Sequence, residues 1–292
     1  MFQPKLSVSF QCIEPDILDR PDPVSDETTG AVCESRIAAF ELCPPMFHHD
    51  HQGAKKASFK QMLRRSGIRP MTFHALFGLD GYDFSDPDEN AYANAIREMG
   101  ACIDLAVEFD APIIVVHASG EPIDPQDRPR RLEQARRGLA EIAGRCRETG
   151  RKIAVELLAR TALGNSVEEL CHLVDGLDTD IVGVCLDTNH LMDRHAHLSD
   201  DVRTLGDRLT ALHLSDYDGV DEQHNLPGTG VVDWKALMQA LADVNYGGTL
   251  NYESTLEGET PRDRIASLER NFDWLCSLVA APPPIPLPDN ES

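Results

Sequence analysis

Short apolar runs, rich in β-branched and aromatic residues, alternate along the whole chain with longer stretches whose apolar positions recur every three to four residues. The short runs predict eight strands, at 5–10 (KLSVSF), 37–42 (IAAFEL), 69–77 (RPMTFHALF), 112–118 (PIIVVHA), 152–158 (KIAVELL), 182–187 (VGVCLD), 209–216 (LTALHLSD) and 248–254 (GTLNYES). The longer stretches predict intervening helices, among them SFKQMLRRSG, NAYANAIREMGACIDLAVEF, RRLEQARRGLAEIAGRCRETG, SVEELCHLVDGL, DWKALMQALADV and PRDRIASLERNFDWLCSLVA. Their ends carry the expected signals: Ser166 and Asp233 open two of them, and Gly150 closes a third.

Repeated strand–helix alternation implies a parallel sheet with right-handed crossovers. Eight such units close most economically as an α/β (β/α)8 TIM barrel, here one domain over residues 1–280, with an open doubly wound sheet as the alternative. The first unit is the weakest, because residues 11–36 are rich in Pro, Asp and Ser and predict a loop with only a short helix. CPPMFHHDHQGAKK, at 43–56, reads as a second surface loop able to cover the barrel mouth, and its His48, His49 and His51 need no metal to explain them. The proline-rich tail 281–292 suits neither helix nor sheet and is expected to be extended or disordered.

Charge narrows the partners. Twenty-seven Lys and Arg against 49 Asp and Glu give 27 − 49 = −22, which repels polyanions and disfavours nucleic acid. The basic run at 127–137 alternates with acids at helical spacing and reads as a solvated helix face. Eight scattered cysteines show no C-x-x-C pair, so neither a zinc knuckle nor a disulfide framework is indicated, and most read as small buried residues. No apolar run approaches the roughly 20 residues of a membrane span, and the N-terminus lacks the pattern of a secretion signal. The expectation is a cytoplasmic protein with no membrane partner.

The candidate chemistry lies at the C-terminal ends of the strands, where a parallel barrel gathers its βα-loops. Glu41, His74, His117, Glu156, Asp187 with His190, His213 and Glu253 stand at or just past seven consecutive strand ends. Any one of them could be a helix cap or a structural histidine. Seven in succession would meet in one narrow space, where Glu156, Asp187 and Glu253 would repel one another unless a cation sat among them. The carboxylates and His213 suit one divalent ion such as Mn²⁺, Co²⁺, Mg²⁺ or Zn²⁺ with open positions, and the absence of thiolates argues against structural zinc. Glu41 is expected to support the site rather than bind the ion. Phe73, Phe77, Tyr217 and Trp234 are expected in the core.

VELL, CLDTNH, ALHLSDYDGVDEQHNLPGTGVVDW and YGGTLNYES resemble the sugar phosphate isomerase/epimerase group of xylose isomerase-like TIM barrels. That group includes tagatose and psicose 3-epimerases and inosose dehydratases, with endonuclease IV as a distant relative. The resemblance implies that Glu156, Asp187, His213 and Glu253 hold one divalent metal and that Glu156 and Glu253 exchange protons with the substrate. It implies a substrate contact for His190 of the DTNH motif, and it places His224 before the PGTGVVDW turn, where glycines and Asp233 are equally explained as loop scaffolding. His74, His117 and Arg160 are further candidate substrate contacts. Leu157 and Leu158 depart from the Asn or Pro and the polar residue after it that many relatives carry there, and the acidic SDYDGVDEQ offers no cation for a phosphate.

The function so implied is metal-dependent isomerisation or epimerisation of a sugar or related polyol ketone through a metal-stabilised enediolate, with a homo-oligomer expected from the resemblance alone. A dehydratase or other lyase using the same site is the nearest rival. An endonuclease IV-like metal phosphodiesterase would draw on His74, His117, His190, Glu222 and His224 for two further zinc ions. A non-catalytic sugar-binding protein would require a broken ligand set, and the four ligands are all present.

Overall fold

The computed structural model describes residues 2–47, 53–78 and 81–279. Eight parallel strands form a closed barrel in chain order. They are β1 (Leu6–Ser9), β2 (Ala39–Leu42), β3 (Arg69–His74), β4 (Ile113–Val116), β5 (Lys152–Glu156), β6 (Val182–Asp187), β7 (Leu209–Leu214) and β8 (Leu250–Tyr252). The ring closes where β1 pairs with β8, Ser7 opposite Asn251 and Val8 opposite Tyr252. Around it run α1 (Asp26–Glu34), α2 (Ala54–Ser66), α3 (Glu89–Glu108), α4 (Arg128–Thr149), α5 (Val167–Val174), α6 (Leu198–Leu205), α7 (Trp234–Asp243) and α8 (Pro261–Ser277).

Local chemistry sets the helix ends. The Ser166 hydroxyl accepts from the Glu169 N–H, the Asp233 carboxylate accepts from the Ala236 N–H, and Gly150 takes the left-handed cap that ends α4. All eight predicted strands are present, but most end early: β3 stops at His74 rather than 77, and β8 at Tyr252 rather than 254. The residues trimmed from them begin the loops over the barrel mouth. α6 is absent from the sequence prediction because its eight residues bury only Leu198, Val202 and Leu205, too few repeats to stand out. The weak first crossover holds two short 3-10 turns and the nine-residue α1, as its composition implies.

Strand alternation divides the interior in two. Outward residues such as Ile114, Val155, Val184, Leu186 and Leu212 join the main core under the helices. Inward, the β4–β7 half of the barrel holds a separate cluster of Val115, Ala154, Cys185 and Ala211. The opposite half holds buried Ser7, Ser9, Glu41, Thr72 and Asn251 instead. These polar groups are costly inside a barrel unless they bond one another, and all but Thr72, whose hydroxyl has no partner, do: Ser7 donates to Asn251 at 2.8 Å and Ser9 to Glu41 at 2.6 Å.

The basic run forms the start of α4, where Arg128, Arg131 and Arg137 pair with Glu169, Asp83 and Glu89. Four cysteines are buried, three are half-buried and Cys33 is exposed, so half rather than most are core residues; all eight are free thiols. No described helix is long and apolar enough to cross a membrane. His48, His49 and His51 and the tail 281–292 lie outside the described residues.

Candidate metal centre

Four strand ends deliver the predicted ligands to one point. Glu156 and Asp187 are the last residues of β5 and β6, His213 is the penultimate residue of β7, and Glu253 follows β8 directly. His213 Nδ1 lies 3.0 Å from Glu156 Oε1, 2.9 Å from Glu253 Oε2 and 3.9 Å from Asp187 Oδ2. One ligand atom from each of the four lies within 4.8 Å of the others, a spacing that could hold a metal ion.

A second layer of histidines surrounds this group. His74 Nε2 and His117 Nε2 each stand 3.0 Å from Glu156 Oε2. His190 donates from Nδ1 to the Leu157 carbonyl at 2.8 Å, and its Nε2 faces Glu222 Oε1 at 3.2 Å. His224 Nε2 meets the same Glu222 oxygen at 3.2 Å, and its Nδ1 donates to the Glu253 carbonyl at 3.0 Å. Arg160 stands apart from the cluster, its guanidinium taken up by Glu222 at 2.9 Å, Asp221 at 2.8 Å and Glu121 at 3.3 Å. It therefore clasps the loops after β5 and β7 together.

The electrostatics show how unlike charges share this space. Burial alone would raise the Glu156 pKa, but His213 and His117 outweigh it and hold the carboxyl well below its ordinary value. Glu253 is lowered to about 2, burial again being overcome by His213. Burial opposes protonation of His213, yet Cys185 together with Glu41, Glu156 and Glu253 raises it well above the usual imidazole value. His190 rises to about 10 and His74 to about 9, in each case because neighbouring carboxylates overcome burial. His224 rises to about 9 through its bond to Glu222.

Asp187 is the exception. Its pKa is raised by burial and by Glu156, against the pull of His190. Oδ1 accepts from the backbone N–H groups of Asn189 at 2.7 Å and His190 at 3.2 Å, whereas the buried Oδ2 has no hydrogen-bond partner. An unpartnered carboxylate oxygen facing a histidine nitrogen and two further carboxylates is the environment that a divalent cation would satisfy. Glu156, Asp187, His213 and Glu253 therefore fit such an ion.

The segment after β7 is organised by a residue that motif spacing left unassigned. Asp216, fully buried, accepts from Gly228 N at 2.7 Å, Trp234 Nε1 at 2.8 Å and Val232 N at 3.1 Å. Gly230 is required there, since a Cβ would lie 2.1 Å from the Tyr217 carbonyl. The glycine-rich turn is thus scaffolding, and its effect is to place Glu222 and His224. Asn189, buried beside Asp187, helps: with its amide oxygen turned toward the loop it accepts from Gln223 N at 3.3 Å and His224 N at 3.2 Å. The only sequence sign of these two roles was a polar residue directly after an apolar strand.

Two cavities flank the cluster. One, about 250 Å³, is bounded by Phe77, His117, Leu158, Arg160, His190 and Glu222. The other, about 350 Å³, is bounded by Gln11, Cys12, His224, Glu253, Ser254 and Leu256. Phe73, Tyr217 and Trp234 are buried as expected, but Phe77 is 57% exposed and stacks on His117 with ring centroids 4.3 Å apart. It is a wall of the site, not part of the core.

A closed parallel barrel with carboxylates and imidazoles converging at its C-terminal mouth has them where TIM-barrel enzymes place their active sites. The family model described as "Xylose isomerase-like TIM barrel" matches residues 34–278, and the chain belongs to that family. A D-psicose 3-epimerase of Enterocloster bolteae is 35% identical over 118 residues, covering 39% of this chain and 37% of that protein. A probable endonuclease 4 of Sulfurihydrogenibium sp. is 26% identical over 141 residues, 47% of this chain and 48% of that one. The matched stretches thus span less than half the length of either curated relative. The crystal structure of a D-tagatose 3-epimerase-like protein superposes with a TM-score of 0.75 at 20% identity, covering 94% of this chain and all of the other, a likeness of fold.

Proposed function

We propose that the protein is a divalent-metal-dependent isomerase or epimerase of a sugar or related polyol ketone. The observation that carries this reading is the unpartnered, buried Asp187 Oδ2 among Glu156, His213 and Glu253. A divalent cation held by those four residues would polarise a substrate carbonyl and the adjacent hydroxyl, lowering the acidity barrier at the intervening carbon and stabilising the enediolate. Glu156 and Glu253, both held ionised at neutral pH, are the proton carriers: one takes the proton from that carbon and becomes the acid, and the other, once it has taken a proton from solvent water, delivers that proton to the opposite face. His190 and His224 border the cavities with their Nε2 groups on Glu222, which a substrate oxygen would have to displace, and His74 and His117 hold the far oxygen of Glu156. Phe77 suits the apolar face of a sugar ring or chain. A neutral substrate is favoured, because Arg160 is already matched by three carboxylates.

The test is metal analysis followed by a screen of ketoses in D₂O with Mn²⁺, Co²⁺, Mg²⁺ or Zn²⁺. Solvent deuterium entering one carbon of one ketose, lost on chelation, supports the proposal. Absence of bound metal together with absence of exchange across the screen refutes it.

A second reading has its own observation. His190, Glu222 and His224 form another group able to hold a metal ion, and His74, Glu156 and His213 a third, so the mouth could carry more than one ion. A multinuclear centre would suit phosphodiester cleavage as in the endonuclease relative, against which stands the net charge of −22. One ion per chain favours the epimerase; three zinc ions favour the hydrolase.

A further inference from the structure

Glu41 on β2 lines neither of the two cavities. It is 2% exposed, and its Oε2 lies 3.0 Å from His213 Nε2. We propose that Glu41 is the positioning residue that makes His213 a metal ligand, by holding the proton on Nε2 so that Nδ1 presents its lone pair to the carboxylate cluster. The inference rests on the reading of that cluster as a metal centre.

The geometry leaves His213 one arrangement in which it can act as a ligand. Its Nδ1 is the nitrogen that faces Glu156, Asp187 and Glu253. A metal-ligating imidazole must be unprotonated at the bound nitrogen, so the remaining proton belongs on Nε2, and a fixed acceptor there selects that tautomer and ring orientation. Glu41 is that acceptor. It is itself immobilised from the polar half of the barrel: Ser9 donates to Oε1 at 2.6 Å, and Asn251 Nδ2 donates to the same oxygen at 3.3 Å. Asn251 is fixed in turn by Ser7, whose hydroxyl donates to Oδ1 at 2.8 Å. The polar side chains lining the β8–β2 wall of the barrel thereby acquire a common purpose. They convert three strands of backbone into a rigid support for one imidazole ring, whereas the opposite wall, lined by Val115, Ala154, Cys185 and Ala211, meets that ring only through the Cys185 thiol.

Removing an acceptor behind a ligating histidine weakens metal binding by about 10- to 100-fold in comparable sites. Co²⁺ affinity, measured by chelator competition, and the visible absorption of bound Co²⁺ should be recorded for the whole chain and for Glu41→Ala, Glu41→Gln and Ser9→Ala. Glu41→Ala should weaken Co²⁺ binding about 10- to 100-fold and shift the absorption band. Glu41→Gln, whose amide oxygen still accepts from Nε2, should recover part of the loss, and Ser9→Ala should show a smaller loss in the same direction. Unchanged affinity and spectrum in Glu41→Ala would overturn the inference, even if its urea midpoint falls, since a purely structural residue would do only that. If Glu41→Ala does not fold, Glu41→Gln and Ser9→Ala decide: wild-type affinity and spectrum in both overturn it. Failure of the wild-type chain to bind Co²⁺ would overturn the metal centre and this inference together, whereas wild-type binding with unaltered variants would overturn this inference alone.

Discussion

Replacing Asp187 by Asn separates what the site does for stability from what it does for a metal. Oδ1 accepts two backbone N–H groups, which an amide oxygen would retain. Oδ2 is buried without a partner, and burial together with Glu156 already pushes the carboxyl pKa up. Leaving a buried polar group unsatisfied costs about 1–3 kcal/mol, and more when it is charged. Metal-free Asp187→Asn should therefore be more stable than metal-free wild type by about 1–3 kcal/mol, or about 2–4 °C in Tm per kcal/mol. The sign with pH follows from the raised folded pKa: the penalty sets in above the unfolded value of about 4 and is complete only above the higher folded value, so the gap should close as pH falls toward about 4. A metal ion should reverse the order, since saturation at about 1,000 times Kd adds about 4 kcal/mol to wild type and little to the variant. Thermal melts of both proteins in chelator and in excess Mn²⁺ measure all of this. A metal-free variant less stable than metal-free wild type at neutral pH would show that Oδ2 is not strained, and the central observation for a metal centre would fall.

Other consequences can be measured independently. Glu253→Gln should keep the circular dichroism spectrum and lose solvent deuterium exchange into the ketose by about 100-fold or more, and full exchange would remove Glu253 from the proton path. His74, His190 and His224 have folded pKa values raised to about 9, 10 and 9. Their stabilisation is complete below about 6.5 and is lost as pH rises through the folded values, so the urea midpoint of the metal-free protein should fall between about pH 6.5 and 10. A flat profile would deny that these imidazoles are charged. Asp216→Ala strands three donors, those of Gly228, Val232 and Trp234, and should destabilise by about 3 kcal/mol or more. Proteolysis within residues 217–233 should accelerate in that variant, and an unchanged cleavage rate would contradict the clamp.

Much of the architecture was legible because a barrel strand advertises itself locally. VGVCLD and LTALHLSD read as strands from their β-branched and apolar content, and Ser166, Gly150 and Asp233 mark helix ends through contacts within three or four residues. α6 was not legible, because a helix of two turns offers too short a period. At the site, eight acids and imidazoles at the ends of seven strands pointed to one narrow space before any distance was known. The exposure of Phe77 and the engagement of Arg160 with three carboxylates could not be read, since both depend on loops from different strands meeting over the mouth.

The chain by itself determined the order of elements, the barrel they imply and the chemical types gathered at its rim, because periodicity and capping act over a few residues. Only the tertiary structure decided which atoms face which: that Nδ1 rather than Nε2 of His213 meets Glu156 and Glu253, that Glu41 stands behind it, and that Asp187 Oδ2 has no partner. Glu41 and His213 are 172 residues apart in the chain, and no local pattern can specify a contact that exists only once eight strands have closed into a ring.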